Sequence, residues 1–432
     1  MQQPDQAEQP AAGTGRADPA HRDRDAEPRP TGPLVGVRVL EVGHAAAGPY
    51  AAMMLADLGA DVIKVEPPGG ELVRFAGPVL VDDPQRRWYG GRFANRNRNK
   101  RSIVLDLAAE DDREVFLGLV ETSDGLIENM RAGVLDRLGV GWDACRARNP
   151  AFVYAAIRGF GDARTGASPY VDWPAYVVIA QAMGGFVSMT GPGPERPMRG
   201  GTILGDMVPG VMAALGLVSA LVHARASGEG QFIDVAMMDA VMSICEPAQT
   251  MWDYEARDYP PSANGTDDVT PFDVYDTADG QCAIAAPTPP FWTALCRSIG
   301  RPEWADDERF ATNADRVARR AEIDAAVGGW AAARSTAEVV EALGGRVPVG
   351  PVNRARDWVE DPHVAARAML VEVQHPHHRP TTQLGCPIKA TGTPPNVYRR
   401  PPLLDEHGAE LRAELAAERA RRAGTGSASG TG

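Results

Sequence analysis

The apolar positions first organise the chain as an alternation of short continuous runs and helical stripes. Val35–Val42 reads as a strand, and a turn at Gly43 and His44 follows it. A helical stripe from Tyr50 to Leu58 closes on Gly59, and Asp61–Glu66 reads as a second strand stopped by Pro67, Pro68, Gly69 and Gly70. Strand, helix and strand within about 30 residues make a βαβ unit and predict a parallel sheet. Ile103–Leu107, Gly125–Asn129 and Ala151–Ile157 read as further strands, with a helix between Ala109 and Thr122. The pattern predicts a doubly wound α/β domain. A long stripe of small and apolar residues over Val208–Ala224 predicts a helix, followed by a strand after Gly228 and a helix from Met237. Thr277–Ala286 reads as a hairpin edge, Phe291–Ile299 and Arg316–Ala342 as helical, Pro348–Asn353 and Leu370–Gln374 as short strands, and Leu403–Glu418 as a last helix.

Composition changes that picture at the ends and in the partners it allows. Residues 1–33 are rich in Pro, Ala, Asp, Arg and Gly and predict a disordered N-terminal tail, and the stretch from Arg419 predicts another. The 432 residues, 44% hydrophobic and 23% charged, are ordinary for a soluble globular protein of two or three domains. There is no run of 18 apolar residues to span a membrane, and the start does not read as a secretory signal. A net charge of −13 argues against nucleic acid as a partner, although it leaves room for a local basic pocket around a small anion. Five cysteines without a CxxC pair predict reduced core residues and a cytoplasmic location.

Candidate chemistry is sparse. The first βα turn, Gly43–Gly48, carries no GxGxxG, and neither a Walker loop nor GxSxG occurs. His375, His377 and His378 cluster as HPHH with no acidic or cysteine partner nearby, so a solvated loop is expected there and no metal site. The run from Asn95 to Ser102 interleaves four cations with amides before a strand; it suits a solvated turn and an anion cradle equally. Glu128-Asn129-Met130-Arg131 follows a strand end, where open α/β sheets contact ligands.

Taken together, these residues resemble the family III CoA-transferases, which include formyl-CoA transferase, carnitine CoA-transferase and the α-methylacyl-CoA racemases. The resemblance is carried by Gly48-Pro49-Tyr50, Leu58–Glu66, Asn97–Leu107, Glu128–Gly139, Gly159-Phe160-Gly161, Ala180–Gly185, Gly205-Asp206, Gly230–Met237, Pro351-Val352-Asn353, Asp361-Pro362-His363 and Pro387-Ile388-Lys389. These follow the family's order over about residues 33–410.

The resemblance implies a large Rossmann-like domain (34–226, rejoined by 347–410), a smaller α+β domain (227–346), a C-terminal segment 411–432, and two chains threaded as an interlocked dimer. It implies coenzyme A, as acyl-CoA, as the substrate, no metal, and a small carboxylate or other acyl acceptor. Lys64, Asn97, Lys100, Arg101, Asn129 and Arg131 are the implied CoA contacts. Members use an aspartate that forms a mixed anhydride and then an aspartyl-CoA thioester. It lies in a frame Pro-x-Tyr-Asp-x-x-x-Gln-Ala, which here reads Pro174 to Ala182 with Val177 at the aspartate position. Valine has no lone pair with which to attack.

His44 and Asp172 are the remaining catalytic candidates, and Asp267 and Asp268 add acids to a loop that is often glycine-rich in relatives. The resemblance therefore leaves three readings. The chain is the non-acylating subunit of a heteromeric transferase, paired with a catalytically complete paralogue. Or it is an enzyme that handles acyl-CoA by direct transfer, hydrolysis or cyclisation. Or it is a scaffold that has lost the chemistry.

Overall fold

The computed structural model describes residues 29–80 and 88–428, the side chains to 422. Six strands, β1 (Arg38–Val42), β2 (Asp61–Glu66), β3 (Lys100–Val104), β4 (Gly125–Glu128), β5 (Val153–Arg158) and β6 (Phe232–Ala236), form one parallel sheet in the order β3-β2-β1-β4-β5-β6. The order reverses between β1 and β4, and both βα connections there leave from the carboxyl ends of these two strands.

Continuous apolar strands demand cover on both faces. On one face the Ala47–Asp57 and Leu204–Ser227 helices bury Ala51, Leu55, Ala213 and Leu217 against Val39 and Ala155. On the other, the Glu110–Glu121, Trp142–Arg148 and Gly408–Ala428 helices bury Phe116, Trp142 and Leu411 against Leu40 and Leu126. The Leu204–Ser227 helix is long and apolar enough to cross a membrane by length and composition, yet it lies across this sheet as a core helix.

A second, smaller unit is a three-stranded antiparallel sheet of β7 (Phe272–Asp276), β8 (Gln281–Ala285) and β9 (Val349–Pro351). Helices between 289 and 343 cover it, with Trp292, Trp304, Phe310, Ile323 and Val327 in its core. Strands β10 (Leu370–Val373) and β11 (Thr381–Leu384) pair as a hairpin.

Several expected boundaries move. The smaller domain does not begin at 227, because β6 pairs with β5 and closes the large sheet. The return to the large domain falls after 347, since β9 still belongs to the small sheet. The stretch 316–342 is three helices, interrupted at Arg319 and again by a capping box at Ser335 and Glu338.

The last helix begins at Gly408, because 404–407 form a turn with Asp405 at φ +56°, and it runs through the expected tail to Ala428. Of the two expected disordered tails, residues 1–28 and 429–432 lie outside the described residues. Residues 29–33 pack, with Thr31 donating to Asn396 Oδ1 and to the Pro394 carbonyl. The HPHH loop is less solvated than expected: His375 is buried against Tyr89, and His377 stacks on Trp88 with ring centroids 3.6 Å apart.

Candidate active site

The turn after β1 is fixed before any ligand arrives. Asn129, just beyond β4, accepts from the His44 amide at 2.9 Å and donates back to the His44 carbonyl at 3.0 Å. This clasp needs bare backbone opposite it: a Cβ on Gly48 would sit 2.9 Å from Asn129 Oδ1, and one on Gly43 2.9 Å from Glu41. Ala45 is held at φ +63°, a conformation costing an L residue roughly 1–2 kcal/mol. Three groups hold it there. Glu71 accepts from the Ala45 amide at 3.0 Å, Arg96 donates to the Ala45 carbonyl at 3.0 Å, and Lys64 donates to the Gly43 carbonyl at 3.0 Å.

The opposite side of the site is the 159–176 segment. Gly159 at the end of β5 admits Ala175, whose Cβ would lie 2.3 Å from any Cβ placed there. Phe160, Tyr170 and Trp173 pack edge to face or tilted into one aromatic cluster under the loop. The short Val177–Met183 helix then starts directly against the Leu204–Ser227 helix. Gly205 makes this approach possible, because its Cβ would fall 2.5 Å from the Val177 carbonyl oxygen. Gln181, fully buried, ties the two segments together by donating to the Thr202 carbonyl and accepting from the Gly200 amide, both at 3.2 Å.

Between these walls lies a cleft of about 280 Å³. Its floor is His44–Ala46, Ile157–Gly159, Met237 and Asp206; its rims are Asn129–Ala132 with Arg137 on one side and Val171–Tyr176 on the other. It therefore opens at the carboxyl ends of β1 and β4, where the strand order reverses. A larger cleft of about 810 Å³ runs beside the C-terminal helix at the opposite ends of these strands. Arg38 there is already paired with Asp61 and Glu414.

Of the residues expected from sequence, His44, Asp172, Asn129 and Arg131 all line the cleft. Asp172 is exposed at its rim. Burial, with a smaller contribution from Lys64, holds the His44 imidazole below its usual range and so neutral, against the opposing pull of Glu71. Val177 lies just behind Tyr176, partly buried.

The structure does not place Lys64, Asn97, Lys100 and Arg101 at this cleft. Lys64, Asn97 and Lys100 have no exposed surface. Glu41 receives Lys64 at 2.8 Å and Lys100 at 2.7 Å, and Lys100 also donates to Asn97 Oδ1 at 2.8 Å. Burial pushes the Glu41 carboxyl up, but the adjoining Lys100 and Lys64 charges outweigh it and the net shift is downward. Arg101 is turned to the C-terminal helix, on Asp61, Glu410 and Glu414. As an anion cradle the 95–102 run is thus corrected: its charges counterbalance acids of the sheet and of two helices, and Arg96 alone of its cations reaches the cleft-floor loop. Asp267 pairs with Arg257 and does not line the cleft.

Two residues not singled out from sequence as site residues matter here. Arg137 joins Arg131 at the rim, and neither has an ion-pair partner among the described residues, so two free cations face the cleft mouth of an acidic chain. Asp206 sits in the first turn of the Leu204–Ser227 helix as its one carboxylate. Burial pushes Asp206 up to about 6, with only Arg96 pulling the other way. A lone acid opening a long apolar helix was the available signal.

A cleft at this crossing of strands, rimmed by cations, joins a fold-wide match. The sequence profile of CoA-transferase family III covers residues 34–408. The chain belongs to CoA-transferase family III. Relatives of this family III chain include a succinyl-CoA:mesaconate CoA-transferase of Haloarcula hispanica, 40% identical over 88% of this chain and 96% of that protein. A formyl-CoA:oxalate CoA-transferase of Streptomyces avermitilis is 36% identical over 88% and 94%. A CAIB/BAIF family crystal structure from Brucella suis superposes on this family III fold with a TM-score of 0.78, at 32% identity, over 89% of this chain and all of that one. The expected fold class and family both stand.

Proposed function

We propose that this chain itself moves coenzyme A between an acyl-CoA and a small carboxylate, in the cleft between His44, Asn129 and Tyr176, without an aspartyl intermediate at position 177. The observation that carries this reading is the pair of unpartnered arginines, Arg131 and Arg137, at the mouth of a cleft whose floor holds an unpaired carboxylate. Arginines at a rim suit the diphosphate of coenzyme A. The two named relatives are a succinyl-CoA:mesaconate and a formyl-CoA:oxalate CoA-transferase, which favours a short acyl group and a dicarboxylate acceptor here. The free cysteines, four of them buried, suit a reducing cytoplasm.

The test is to incubate the homogeneous protein with succinyl-CoA and a panel of small carboxylates and to follow new CoA thioesters by chromatography. A new thioester is expected. Its absence across the panel contradicts the reading.

A second reading is favoured by a separate observation. The Leu204–Ser227 helix leaves Leu215 and Val222 about two-thirds exposed, and Val211 is exposed beside them. Such a face fits cover by another chain, as in the interlocked dimer that the family resemblance implies. In a pairing with a different, aspartate-bearing chain, this one would be the non-acylating subunit. Purification from the native source distinguishes the two: a homodimer supports the first reading, a stoichiometric second family III chain the second.

A further inference from the structure

We propose that Asp206 is the catalytic carboxylate of this cleft, taking over the nucleophilic role that Val177 cannot fill. The inference rests on the reading that the chain transfers CoA itself.

Three observations select Asp206 over the other acids. It lies on the cleft floor, whereas Asp172 is exposed at the rim, and Glu71 and Glu128 are tied to backbone amides. Its carboxylate accepts no hydrogen bond and makes no close ion pair among the described residues; Arg96 bears on it as a charge from beyond ion-pair distance, while donating to the Ala45 carbonyl. And it follows Gly205, the residue against which the Val177 carbonyl rests. A carboxylate therefore stands at the junction of the two helices, one residue from the point of contact with position 177. An acid that is partly desolvated and free of donors keeps its lone pairs available for attack.

The step balances without an added reagent. An Asp206 oxygen bonds to the thioester carbonyl carbon, the C–S bond breaks, and CoA leaves as the thiolate. The product is a mixed anhydride of Asp206 and the acyl group. The thiolate then attacks the Asp206 carbonyl, forming an aspartyl thioester and releasing the donor acid as its carboxylate. An acceptor carboxylate repeats the two steps in reverse, leaving with CoA and restoring Asp206. No proton or electron is consumed.

The test uses the full-length protein with succinyl-CoA or acetyl-CoA as donor. Hydroxylamine is added to convert any anhydride or thioester on a side chain to a hydroxamate, and peptides are mapped by mass spectrometry. The expected result is a hydroxamate at Asp206 in the wild type and none in Asp206→Asn. Turnover in Asp206→Asn should fall at least about a hundredfold, while succinyl-CoA affinity by calorimetry stays within about threefold. The isosteric change should fold; a circular dichroism melt checks this, and Asp206→Glu, expected to keep partial labelling, provides a second variant. Label on another residue, or turnover retained in Asp206→Asn, overturns the assignment while leaving CoA transfer by this chain intact. A wild type that forms neither label nor new thioester overturns both.

Discussion

Glu41 in the sheet and Asp206 on the cleft floor are both carboxylates withdrawn from water, and their proton affinities shift in opposite directions. Glu41 is wholly buried, yet two lysine amines within 2.8 Å hold it ionised. Asp206 is less deeply buried, and burial pushes it up to about 6, with only the Arg96 charge pulling the other way and no donor bonded to it among the described residues. Burial raises a carboxyl's pKa in both places; the number of cationic partners decides the outcome. The difference separates charges that hold the fold from a charge left free to react. It also shows why a run of arginines and lysines in an acidic protein need not be a ligand site.

The largest effect that would break this contrast is at Glu41. Glu41→Leu leaves the Lys64 and Lys100 amines buried without their counter-charge, and the loss should be about 3–5 kcal/mol in urea denaturation. An unchanged midpoint would mean that these amines can reach water or a ligand, and would restore the anion-cradle reading of the 95–102 run. Next in size is Gly205→Ala. Its Cβ would press on the Val177 carbonyl at 2.5 Å, so about 1–3 kcal/mol should be lost by the same measurement as the two helices part. A variant as stable as the wild type would show that the junction has slack, and would weaken the placement of Asp206.

Val177→Asp sharpens the comparison in the other direction. It sets a second carboxylate beside Asp206, and like charges oppose each other's ionisation. The acid limb of the pH–rate profile should move upward by about one pH unit from a wild-type midpoint near the Asp206 value; an unmoved limb would separate the two positions.

The smallest effect concerns stability. Asp206 binds its proton more tightly in the folded chain than in the unfolded one, so its contribution is fully present below the ordinary carboxyl range. That contribution is lost as pH rises through about 6. Asp206→Asn should therefore melt at a higher temperature than the wild type above pH 6 and show no such gain near pH 4. An equal gain at both would point to packing instead of charge.

Much of the fold was legible because strands β1, β2, β4 and β5 are mostly apolar runs bounded by glycines and turns, with single charges such as Glu41 and Lys64 inside them, and the helices between them carry an apolar stripe. Strand β6 was legible as a strand, but its sheet was not: Phe232–Ala236 includes Asp234 and is mostly half-buried, so nothing in the sequence said which strand it joins. The cleft was half legible. His44, Asn129, Arg131 and Asp172 follow strand ends or lie in the connecting loop, where ligand contacts are expected. Lys64 and Lys100 were misread because their partner Glu41 lies 23 and 59 residues away, and only pairing of β1 with β2, and β2 with β3, brings them together. Asp206 was hidden for a similar reason: its helix reads as core, and its closeness to position 177 depends on a glycine contact between segments.

The most direct test of the central claim is a crystal structure of Asp206→Asn with succinyl-CoA, in which attack is blocked and the thioester should persist. The account predicts the thioester carbon within about 3.5 Å of the residue 206 side chain, with the diphosphate against Arg131 and Arg137. A thioester bound away from this cleft, or one whose carbonyl faces Asp172 with residue 206 out of reach, would contradict it.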